Sequence, residues 1–169
     1  MKLITKSRIA IAALGLASMF AASTASADYR ITAFGDAIAY RALLAKDVES
    51  AKSAFTTADM AKLDFVAVNN LCVTQILAEE LPAAIESCSL ALEKVEADRE
   101  LGLASEKSAK ASIYSNLAVA KAMSGDLSGA SVDLEKALLL NGRDRNAVSN
   151  YNLISSSMEV APADIAQAL

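Results

Sequence analysis

The sequence predicts an all-α protein made of antiparallel helix–turn–helix hairpins stacked one on the next. Three observations carry that prediction. The 169 residues are rich in Ala and hold only two Pro and six Gly. That balance suits helices, because Ala has the highest helix propensity and β proteins consume turn residues. Apolar residues recur at helical spacing through 112–140. The same pattern, with its break, then returns elsewhere in the chain.

The first 27 residues read as an address. Lys2, Lys6 and Arg8 form a basic start, Ile9 to Phe20 is uncharged and apolar, and Ala25-Ser26-Ala27 closes the stretch. This is the layout of a secretory signal peptide, with cleavage expected after Ala27. The apolar run of twelve residues is short for a membrane span, which needs about 20, so no stable span is expected after cleavage. The expected location is periplasmic or secreted. The mature chain of 142 residues then carries 13 basic and 20 acidic residues, net −7, and 28 of its residues are Ala. Small side chains therefore make up much of its apolar content.

Composition also excludes chemistry. The chain has no His, which removes His-dependent triads and mixed Cys/His zinc sites. An acidic balance argues against nucleic acid, whose phosphates need clustered Lys and Arg. High apolar content with little Pro argues against disorder.

Within 112–140, Ile113, Leu117, Ala118 and residues 120–123 follow a helical period, and Ser124-Gly125-Asp126 breaks it. Gly125 suits a left-handed C-terminal cap. Asp126 suits an N-cap, accepting from the free N–H groups of the next helix. Ala130, Leu134, Ala137 and Leu138 continue on the second helix. Sliding back by 46 places Asn116-Leu117-Ala118 on Asn70-Leu71-Cys72, Leu134 on Cys88 and Asp126 on Glu80, with Pro82 at the start of the next helix. Sliding forward by 34 places Asn116 on Asn150. Residues 47–51, Phe55 and Ala58 echo the second-helix pattern.

Tyr114-Ser115-Asn116-Leu117-Ala118, Gly125-Asp126, Ala130 and Ala137-Leu138 resemble the tetratricopeptide repeat (TPR) family. That family uses 34-residue helix–turn–helix units with small residues at three contact positions, here Ala118, Ala130 and Ala137. The family's Trp is absent, and Asn141-Gly142 stands where its helix-ending Pro would be. The resemblance implies a short right-handed solenoid of TPR-like repeats. The repeat domain is placed at 28–158, with units at about 31–63, 65–98 and 111–144 and a half unit at 145–158. The alternative is a generic Ala-rich helical bundle.

The 46-residue step exceeds a standard repeat. The excess around 93–110 is charged on most faces, with Gly102 in its middle. It is read as extra turns on two flanking helices, solvated rather than functional. Ser155-Ser156-Ser157 is expected to end the last packed helix. Residues 159–169 form a tail or a short capping helix that begins near Pro162.

Cys72 and Cys88 lie nearly equidistant from the turn at Glu79-Glu80, so antiparallel helices place them opposite each other. In an oxidising compartment an even cysteine count favours a disulfide. The alternative is two small buried thiols. No metal site is expected, since two Cys without His cannot complete a zinc shell.

The resemblance also implies a binding surface, because the first helix of each TPR unit lines a groove that receives peptides. Projected here, that surface includes Asn69, Asn70, Val73, Ser115, Asn116, Val119 and Asn150, flanked by Val66, Ile76, Ser112 and Met123. The recurrent Asn70, Asn116 and Asn150 are its sharpest feature. An Asn amide both donates and accepts, so it can satisfy a peptide main chain without reading side chains. Equally, it can tie neighbouring helices together. No set of Lys and Arg matches the family's carboxylate-gripping members. No catalytic residues and no cofactor are expected, since no carboxylate pair stands in an apolar setting and there is no Gly-rich phosphate loop. The expected function is a non-catalytic module binding a protein or peptide partner. The alternative is a structural subunit or homo-oligomer of a cell-envelope assembly.

Overall fold

The computed structural model describes residues 28–160. The expected signal peptide at 1–27 and residues 161–169 lie outside the described residues. Among those described, all regular structure is helical: α1 Tyr40–Leu44, α2 Val48–Phe55, a 3₁₀ turn Met60–Lys62, α3 Phe65–Leu77, α4 Leu81–Ala97, α5 Leu103–Met123, α6 Leu127–Leu140 and α7 Arg145–Val160.

Caps set most of the starts. The carboxylates of Asp47, Asp64 and Asp126 accept from Ser50 N, Ala67 N and Gly129 N at 3.0, 2.8 and 2.8 Å. Asp144 accepts from Asn146 N and Ala147 N at the head of α7. Each bond satisfies an N–H that the helix itself cannot pair. Pro82 lies in the first turn of α4, where a missing N–H costs nothing.

The helices pair as α1–α2, α3–α4 and α5–α6, and α7 packs onto α6 and α5. Each of the three hairpin turns is closed the same way. Lys46, Glu79 and Gly125 take positive φ of 57°, 58° and 92°. Their N–H groups donate to Leu43 O, Ile76 O and Ala122 O, and the next N–H groups, of Asp47, Glu80 and Asp126, donate to Ala42 O, Gln75 O and Lys121 O. This is the Schellman arrangement that satisfies the last carbonyls of a helix. Only one of the three turns uses the Gly that makes the conformation easy.

Small residues set the spacing. Ala84, Ala91, Ala118, Ala130, Ala137 and Ala147 are fully buried, and larger side chains such as Ile113, Leu134, Val68 and Val95 fill the space between the helices. Each hairpin meets its successor: α2 packs on α3, α4 on α5 and α6 on α7. The odd-numbered helices also contact one another in series, α1 with α3, α3 with α5 and α5 with α7. The charged stretch 93–110 lengthens α4 and α5 around a link at 98–102. There the Lys110 ammonium lies 2.9 Å from Glu96 and 3.6 Å from Glu106.

Two details differ from the sequence reading. The stretch expected to open a first unit at residue 31 is extended up to residue 34 and is not helical, because it docks on α3, α5 and α7. The last helix does not end at Ser155-Ser156-Ser157 but runs to Val160. The Ser156 and Ser157 hydroxyls donate to the carbonyls of Asn152 and Leu153 one turn earlier. Bonded back in this way, a serine can remain within a helix.

Candidate functional site

Residues 28–34 cross the row α7, α5, α3, from the last hairpin towards the first. Three asparagines hold this strap at alternate residues. Asn150 on α7 accepts from Arg30 N at 2.8 Å and donates to Arg30 O at 2.7 Å. Asn116 on α5 accepts from Thr32 N at 2.8 Å and donates to Thr32 O at 2.8 Å. Asn70 on α3 accepts from Phe34 N at 2.8 Å and donates to Phe34 O at 2.9 Å. In an extended chain, residues two apart present their N–H and C=O to the same side. A ladder of amides, one per helix, therefore pairs every second residue of the strap, as a neighbouring strand would.

The second amide hydrogen of each Asn has its own acceptor. Asn116 also donates to Asn69 Oδ1 at 2.9 Å, Asn150 to Ser115 Oγ at 3.1 Å, and Asn70 to Ile38 O at 3.1 Å. Asn69 in turn donates to Thr32 O at 2.9 Å. The two uses weighed for these amides, gripping a main chain and fixing helix packing, are thus combined in Asn116 and Asn150. All of Asn69, Asn70, Asn116 and Asn150 are fully buried, and full pairing is what makes such burial tolerable.

The remaining expected groove residues lie around the strap. Val73 packs in a cluster with Ile31 and Ala33. Val119 belongs to the cluster that takes in Tyr29, Ile31 and Phe34. Ser115 accepts from Asn150 as described, and Ser112 donates to Asp144 instead of reaching the strap. The Phe34 ring meets Phe65 edge-on, with centroids 6.1 Å apart. Asn146 donates to the Thr32 hydroxyl at 2.9 Å. Burial holds the Tyr29 phenol above its ordinary pKa.

Sequence reasoning found the ladder but missed what lies on it. The signal was present: Tyr29-Arg30-Ile31-Thr32-Ala33 alternates apolar and polar residues, with β-branched side chains, over a strand's length. In an otherwise helical chain, an alternating segment has no sheet to join.

Cys72 and Cys88 are joined as a disulfide, with Cα atoms 5.2 Å apart, and staple α3 to α4 beneath the strap. At the equivalent sites of the next hairpin stand Ala118 and Leu134, both fully inside. Asp133, also buried, pairs there with the ammonium groups of Lys121 and Lys136. The Lys136 ammonium in addition lies 5.2 Å from the centre of the Tyr114 ring.

Among the described residues no group of three or more His, Cys, Asp or Glu is placed to hold a metal ion. No described helix is long and apolar enough to cross a membrane. Comparison with known proteins finds no matching family model, no matching curated protein and no matching solved structure.

Proposed function

We propose that this chain is an exported, non-catalytic TPR-like interaction module that holds an extended peptide segment of a partner protein across α3, α5 and α7. One observation carries the reading: Asn70, Asn116 and Asn150 each pair both main-chain groups of alternate residues in an extended segment. Such pairing is independent of side-chain identity, so it suits a surface that accepts main chain in general. Tyr29, Ile31 and Phe34 add apolar contacts that set preference. In this reading residues 28–34 occupy the surface until a partner segment takes their place.

The test is crosslinking in the native envelope followed by mass spectrometry, comparing wild type with Asn116→Ala. The expected result is loss of a partner's extended segment from the variant while its helical circular dichroism is retained. An unchanged partner set with lowered stability would show that the ladder serves packing alone.

A second reading, a structural subunit or homo-oligomer of an envelope assembly, draws on α6. Val132 and Leu139, seven residues apart on that helix, are 50% and 88% exposed. A concentration-independent dimer in size-exclusion light scattering, abolished by Leu139→Glu, would favour it over the peptide-holding module.

A further inference from the structure

We infer that the segment able to displace the strap is an extended peptide carrying a large apolar side chain at the register of Ala33. The inference rests on the peptide-holding reading and adds the identity of the preferred ligand. Its starting point is a mismatch. The strap fills its seat with large side chains at Tyr29, Ile31 and Phe34, but Ala33 offers a single methyl group. Beside that methyl lies a cleft of about 320 Å³, with Leu43, Leu44, Val73 and Leu77 in its walls. Two of those walls are left wet, Leu44 at 66% exposure and Leu77 at 37%. They stand on α1 and α3, the helices that flank this end of the strap.

The chain's own segment therefore satisfies the amide ladder fully while leaving apolar surface uncovered next to one side chain. A peptide in the same register with Leu, Ile or Met at that position would make the same main-chain bonds and cover that surface as well. Each additional buried methylene favours binding several-fold. The advantage is needed, because a tethered strap competes at an effective concentration on the order of millimolar.

The test uses the full chain carrying Thr32→Pro, which removes the N–H that donates to Asn116 and loosens the strap. Two labelled synthetic peptides of residues 28–36 are titrated against it, one native and one with Ala33→Leu. Both are expected to bind, the Leu peptide about tenfold more tightly. Equal affinities would overturn this inference and leave the proposed function standing. If neither peptide binds a variant with native helical content, the proposed function itself fails. Should Thr32→Pro not fold, Ala33→Leu in the intact chain decides. A tighter strap raises the urea midpoint, and a midpoint that falls or stays put overturns the inference.

Discussion

The hairpins α3–α4 and α5–α6 are related by a 46-residue shift, yet different forces hold them shut. In the first, the mid-helix sites carry Cys72 and Cys88, covalently joined. In the second they carry Ala118 and Leu134, packed without exposed surface, and the buried carboxylate of Asp133 between two ammonium groups. The positions of Lys121 and Asp133 correspond to the neutral Gln75 and Ser87 of the first hairpin. Two small sulfur side chains leave less apolar volume between helices than an Ala–Leu pair with its neighbours. The staple compensates by constraining the unfolded chain, whereas Leu134 acts through burial in the folded one. Two similar helix hairpins thus have two chemical solutions, and only one of them responds to redox conditions.

The largest expected effect comes from removing the packing solution. Leu134→Ala empties a fully buried site and should cost about 3 kcal/mol in urea unfolding, within the range for buried Leu truncations. A loss under about 1 kcal/mol would mean that Ala118 and its neighbours close the gap, and the contrast between the hairpins would disappear. Next in size is the staple. Reduction, or Cys72→Ala with Cys88→Ala, reopens a loop of 16 residues' separation and should cost close to 3 kcal/mol. Placing Leu at position 88 in the Cys72→Ala background should recover part of that loss. An unfolding midpoint unmoved by reductant would show that the hairpin does not depend on the bond.

The smallest effect belongs to the ion pairs of α6. The hydrogen bond from Lys136 to Asp133 raises the lysine pKa above its ordinary value, against the opposing effect of burial. A raised lysine pKa contributes stability that is fully present below the unfolded value of 10.5 and lost as pH rises through the folded one. Asp133→Asn should therefore flatten the fall in melting temperature as pH rises above 10.5, relative to wild type. A parallel fall in both proteins would remove Lys136–Asp133 from the account.

Much of the helical organisation could be read from residues. Gly125-Asp126 announced its turn, because a left-handed cap followed by an N-cap is a local chemical requirement. The turn at Glu79-Glu80 was legible only through the 46-residue correspondence and Pro82, and the one at Lys46 not at all, since both Glu79 and Lys46 take positive φ without the Gly that would mark it. The cysteine pair followed from its spacing about a turn. The Asn ladder followed from its recurrence, but its occupant did not, since nothing local assigns an isolated alternating segment to a distant surface. The bonds that place it span 36, 84 and 120 residues.

By itself, then, the sequence determined the local elements: helix period, the capping carboxylate of Asp126, the small residues that let helices approach, and an amide repeated near the middle of three helices. These are properties of a residue and its near neighbours. Only the tertiary structure decided that α3, α5 and α7 bring their amides into one line, and that residues 28–34 lie along it. Main-chain N–H and C=O groups must find partners wherever they are removed from water. Which partners an extended segment finds depends on the assembled surface, and that surface exists only once the hairpins have stacked.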